Sequence, residues 1–157
     1  MLSNPQNSNE ISQNRAATNL LRKLLKEKAE IVSIDYQLIE LMQVIMKTKM
    51  KECSRYLKDK HLPGISNIKD FRKNTDAVTY LNQAKTLCKS TIRDIKMITK
   101  TIDHYKINED LIIDELDKLD VMDSTYYRYC RNNNAVMYTF DKDFDFSKYQ
   151  DDIKVIS

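Results

Sequence analysis

Glycine is almost absent from this chain of 157 residues. There is one, Gly64, with two prolines, Pro5 and Pro63, and no tryptophan. Tight hairpin turns draw on glycine and proline for their backbone conformations, so a β-sandwich or barrel of many short strands is not expected. The same shortage argues against a phosphate-cradling loop and against a serine nucleophile elbow, both of which need glycine for close backbone approach. No apolar run approaches the eighteen or so residues of a transmembrane helix.

The three cysteines, Cys53, Cys88 and Cys130, are odd in number and widely spaced, which reads as free thiols in a reducing compartment. The two histidines, His61 and His104, have no cysteine at zinc spacing. Three residues before them stand Lys58 and Thr101, where a di-iron bundle needs glutamate. No metal or cofactor is expected. The acidic run Asp141-Lys-Asp143-Phe-Asp145 starts like a calcium loop, but Phe146 stands where glycine makes the turn and Asp152 where a bidentate glutamate closes the site. It reads instead as a solvated acidic tail with buried phenylalanine. Asp110, Asp114 and Asp117 fall on one helical face without a cleft to separate their pKa values, and no nucleophile arrangement is present. An enzyme is not expected. The N-terminus lacks the charged-then-apolar order of a secretory signal. Its Arg15 and Arg22 in an acid-poor segment resemble a mitochondrial presequence, yet the leucines that follow belong to a longer helical pattern, so a cytoplasmic location is expected.

What is present is helix-forming. At 41% apolar and 31% charged residues the chain is globular, one domain in length. From Glu10 to Lys60 there is no glycine or proline. Leu24, Ile31, Leu38 and Ile45 recur every seven residues, and Leu25, Val32, Ile39, Met46 and Cys53 form a second row beside them. Two rows fit a helix with two neighbours better than a two-stranded coiled coil. A helix over 10–60 would reach about 75 Å, so either the molecule is elongated or the helix breaks near Lys47-Thr48-Lys49, where the apolar band thins. His61-Leu-Pro-Gly64 ends it, and Ile65, Ile68 and Phe71 make a connector. A second helix over 75–106, capped by Asn74 or Thr75, carries the stripe Leu81, Cys88, Ile95 and Ile102 and pairs antiparallel with the first. A third over 108–131 starts at Asn108 with Glu109 and Asp110 in its first turn and closes at Asn132–Asn134. Val136–Phe140 has strand-like composition but no evident partner, so an irregular tail is expected, with Ser147 capping a last short helix containing Tyr149 and Ile153.

The fold expected is all-α: an elongated antiparallel helical bundle or coiled-coil hairpin of three main helices. A flexible tail precedes it (1–9), the bundle occupies 10–131, and an acidic, aromatic tail follows (132–157). The second and third helices are expected to cover Leu20–Met46 and to leave the Met50–Leu57 end free.

Charge is unevenly placed. Residues 1–106 hold 20 Lys and Arg against 11 Asp and Glu, and residues 107–157 hold 6 against 12. Lys85, Lys89, Arg93, Lys96 and Lys100 step down one side of the second helix, and Lys47, Lys49, Lys51, Arg55 and Lys58 cluster near the end of the first. The Tyr126-Tyr-Arg-Tyr-Cys-Arg131 run resembles a base-stacking surface, but it lies in the acidic half and reads as packing. Met42, Met46 and Met50 read as core filling or as an adaptable docking face. These features point to a non-enzymatic structural or adaptor subunit of a larger assembly, cytoskeletal among the candidates, acting through helix–helix contacts. Its expected partner-binding residues are Lys89, Arg93, Lys96, Lys100, Met50, Arg55 and Tyr56. The alternative is a basic face that binds an anionic polymer or surface: microtubule, nucleic acid or membrane. Protein is the favoured partner and nucleic acid the less favoured.

Overall fold

The structure, a computed structural model, describes residues 8–103, 105–144, 149 and 151–156. The described chain is mostly helical, with two small pairs of parallel strands. It divides into two compact units, residues 30–105 and residues 1–29 with 106–157.

The 30–105 unit is a helical hairpin closed by a strand pair. Strand β1 (Val32–Ile34) leads into helix α2 (Asp35–Asp59). A short helix α3 (Ile68–Lys73) and a 3₁₀ turn (Thr75–Ala77) connect to α4 (Val78–Ile98), which leads into strand β2 (Lys100–Ile102). β1 and β2 pair in parallel with Val32 opposite Lys100. The start of α2 therefore lies beside the end of α4, and the two helices run antiparallel, as their stripes predict. Their far ends bury Cys53, Leu57, Ile65, Phe71 and Ala77, flanked by Met46, Met50, Tyr80 and Leu81.

Local chemistry explains the boundaries. The single long helix expected over 10–60 does not form. Helix α1 (Ser8–Lys26) stops, and α2 starts nine residues later. The break lies at Glu27–Ile31, not at Lys47–Lys49, which is helical. At the break Lys28 adopts φ 55°. Its N–H donates to the Leu25 carbonyl at 3.2 Å, and the Ala29 N–H donates to Leu24 at 3.0 Å. This is a Schellman closure made without glycine. Ile31, Val32 and Ile34 then prefer extended backbone because branching at Cβ restricts their rotamers in a helix. The rows of seven crossed the break because Ile31 and Val32 happen to continue their spacing.

α2 begins where the Ile34 N–H donates to Gln37 Oε1 at 3.1 Å. It ends in a second Schellman closure, with His61 at φ 60° and the Leu62 N–H donating to the Leu57 carbonyl at 2.9 Å. Gly64 serves close approach rather than a left-handed backbone: a Cβ there would lie 2.8 Å from Ser54 Oγ, the oxygen that accepts from the Ile65 N–H at 2.9 Å. Asn74 caps the next turn by accepting from the Asp76 N–H, as expected. The helix expected over 75–106 ends earlier, at Ile98, because the β-branched run Ile98-Thr-Lys-Thr-Ile102 turns to strand. There Thr99 Oγ1 and Ser33 Oγ hydrogen-bond at 2.9 Å.

In the other unit no described side chain of α1, from Ile11 to Lys26, is buried. The helix expected over 108–131 is split into α5 (Glu109–Ile113) and α6 (Val121–Asn133). Asn108 caps the first, accepting from the Leu111 N–H. Asp120 caps the second, accepting from both the Met122 and Asp123 N–H groups. A good N-cap competes with helix continuation, and this competition breaks the expected helix and the Asp110–Asp117 face with it. Asn134, at φ 49°, closes α6.

The C-terminal segment is not irregular. Strand β3 (Met137–Thr139) pairs in parallel with β4 (Ile153–Val155). Val136–Phe140 does find a strand partner, and Ile153 is strand rather than helix. Leu119, Tyr127, Phe144, Tyr149 and Ile153 form the core here. Ser147 and Asp145–Phe146 lie outside the described residues.

Candidate docking site

The lysine-bearing side of α4 follows from its register. Ala84 is fully buried against α2, and at 100° per residue Lys89, Arg93 and Lys96 project from the opposite side. All three are exposed. Along α4, and reaching Met42 of α2, runs an open groove of about 580 Å³. Met42, Cys88, Ile92 and Met97 supply its apolar lining, and Lys89, Arg93 and Lys96 line it with cations. Met97 is 77% exposed. Arg93 holds the neighbouring Asp94 at 3.3 Å across an exposed pair. Among the described residues neither Lys89 nor Lys96 is in an ion pair.

The structure brings together three of the expected partner-binding residues, Lys89, Arg93 and Lys96. It separates the other four from them. Lys100 has left the helix for β2, where its ammonium reaches Glu30 at 3.5 Å. Met50 is half-buried against the core around Cys53 and Phe71. Arg55 is exposed outside the groove. Tyr56 is tilted against Tyr80 with ring centroids 6.1 Å apart, and Lys60 Nζ lies 5.9 Å from its centroid.

The expectation that Met50–Leu57 is left uncovered is corrected. The connector supplies Ile65, Phe71 and Ala77, which bury Cys53 and Leu57 completely. It is the Leu20 end of the expected apolar face that has no buried residue. Ile92 and Met97 escaped the sequence reading because they lie outside the Leu81–Ile102 stripe. The available signal was their position among the lysines: an apolar residue inside a cationic face, flanked by Lys89 and Lys96.

In the other unit a buried polar cluster centres on Glu115. Glu115 is buried and accepts from Arg128 Nη2 at 2.7 Å; the same nitrogen also reaches the Leu111 carbonyl at 3.2 Å. Tyr149 Oη donates to the second Glu115 oxygen at 3.3 Å. Burial, reinforced by the Glu115 charge, pushes the Tyr149 phenol up to about 12. Burial likewise raises the Cys130 thiol to about 11, which disfavours its thiolate form. Tyr126, Tyr127 and Cys130 are buried, and the tyrosine–arginine run serves packing. The described residues contain no cluster of three metal-binding side chains and no helix long and apolar enough to cross a membrane. Compared with known proteins, the chain matches no family model, no curated protein and no solved structure.

Proposed function

We propose that this chain is a non-enzymatic structural or adaptor subunit of a larger macromolecular assembly, with the α2–α4 hairpin as its docking element. The observation that carries the reading is the groove itself. It has an apolar lining of Met42, Ile92 and Met97, with cations along it. Two antiparallel helices with an open apolar side are an incomplete bundle. A partner helix laid along that side completes it, which differs from the three-helix bundle within one chain expected from the sequence. Methionines suit such a face because their unbranched side chains adapt to an incoming surface. A cytoskeletal assembly in the cytoplasm remains within this proposal.

The test is affinity purification of the full chain from its native cells, in parallel with a Met97→Glu variant. A stoichiometric protein partner retained by the wild type and lost from the variant supports the reading. A chain that retains no protein in either form sinks it. The second reading, binding of an anionic polymer or surface, is favoured by Lys89 and Lys96, neither of which is in an ion pair among the described residues. It expects binding that falls steeply with salt and that survives replacement of Met97.

A further inference from the structure

Resting on the docking reading above, we infer that the occupant of the α2–α4 groove is an acidic amphipathic helix, with an apolar stripe for Ile92 and Met97 and carboxylates for Lys89 and Lys96. Charge complementarity selects this occupant. The groove carries three cations, Lys89, Arg93 and Lys96. Of these three, only Arg93 is in an ion pair among the described residues, with the exposed Asp94. A purely apolar helix would leave those ammonium groups facing hydrocarbon at its edges, and a basic one would be repelled.

Spacing selects a helix over an extended chain. Lys89 and Lys96 are two turns apart on α4, about 10.5 Å along its axis. Carboxylates seven residues apart on a helix lying alongside have the same separation. The apolar lining from Cys88 to Met97 spans about 13.5 Å of α4, which accommodates the two turns of a partner presenting residues at i, i+3 or i+4, and i+7. An extended peptide would need a free row of backbone donors and acceptors, and the backbones of α2 and α4 are already paired within their helices.

The probe is a fluorescent 18-residue peptide with leucines at i, i+3, i+4 and i+7 and glutamates flanking the stripe, titrated into the full chain at about 150 mM salt. Two controls are a scrambled peptide of the same composition and an oligoglutamate of equal charge. The amphipathic peptide should bind roughly tenfold more tightly than either control. The triple variant Lys89→Glu/Arg93→Glu/Lys96→Glu should weaken it by roughly tenfold, three exposed pairs being reversed together. Met97→Asp should weaken it comparably without changing the thermal unfolding of the chain, since Met97 is exposed. Equal binding of the scrambled peptide or oligoglutamate overturns the assignment in favour of simple anion binding. Displacement of the peptide by phosphatidylserine vesicles overturns it in favour of a membrane surface. A cellular partner whose binding survives the triple variant overturns the groove assignment while leaving the adaptor reading standing. Failure of the peptide together with the lack of any cellular partner overturns both.

Discussion

The two units use charge in opposite ways. In the 30–105 unit the buried core of Cys53, Leu57, Ile65, Phe71 and Ala77 is apolar, and its lysines are outside. Among the described residues of the other unit the one buried carboxylate, Glu115, sits under Arg128 and Tyr149. The cations of the 30–105 unit are absent from that core, whereas the other unit builds one carboxylate into its own. The comparison also separates two kinds of core: apolar packing alone in the hairpin, and aromatic packing around the Glu115–Arg128 pair in the other unit.

The sharpest way to break this contrast is Phe71→Ala. Phe71 is completely buried, and its truncation is expected to cost about 3–5 kcal/mol. Urea unfolding followed by amide hydrogen exchange should show protection lost across 30–105 and retained in α6, β3 and β4. Simultaneous loss in both would show the two units to be one cooperative body.

Glu115→Ala comes next. It leaves the mostly buried Arg128 guanidinium without its ion pair, at an expected cost of about 3 kcal/mol. The double variant Glu115→Leu/Arg128→Met removes both charges and should recover most of that loss, because replacing a buried pair is far cheaper than breaking one. A double variant as unstable as the single one would mean that Glu115 acts through Tyr149 and not through Arg128.

The same contrast governs what the sequence disclosed. Antiparallel pairing of the two hairpin helices was legible because Leu38, Ile45 and Cys53, and likewise Ala77 and Ala84, repeat at helical spacing on one face. Caps at Asn74 and Asn108 were legible because a side-chain oxygen answers a nearby N–H. The break at Lys28 was hidden because a lysine occupies a left-handed position usually marked by glycine. The strand pairs were hidden because each joins segments distant in sequence, Val32 with Lys100 and Met137 with Ile153, and single strands carry no sign of their partners. For the docking site, the cations were legible as a stripe. The groove was not, since its apolar lining needs Met42 of one helix opposite Ile92 of another.

A pH series sharpens the polar side of the comparison. Tyr149 is raised from 10.0 to about 12 and Cys130 from 9.0 to about 11, burial being the first cause of both. The folded state therefore holds these protons more tightly than the unfolded one. The stability they contribute is fully present below pH 9 and is lost as pH rises, through 9 to 11 for Cys130 and through 10 to 12 for Tyr149. Tyr149→Phe should abolish the upper part of this alkaline loss, read as urea midpoints between pH 8 and 12. An unchanged profile would assign the loss elsewhere, to Cys53 or Tyr80, whose protons burial also favours.

The smallest effects come from the left-handed residues that close helices in both units. Relieving an L-residue of that conformation gains about 1–2 kcal/mol, and the extra freedom of glycine in the unfolded chain takes back about 0.5–1 kcal/mol. His61→Gly should therefore stabilise by about 0.5–1 kcal/mol, and the gain should appear in global urea unfolding, because His61 closes the helix that carries Cys53 and Leu57 into the core. Lys28→Gly relieves the same strain, but α1 has no buried described side chain to transmit it. Its gain should appear as slower exchange of the α1 amides with the urea midpoint unchanged. Asn134→Gly should do little, since asparagine already tolerates the conformation. A global gain from Lys28→Gly equal to that from His61→Gly would mean that α1 is coupled to a folded core after all, and would remove the distinction between a helix held by packing and one held by its own ends.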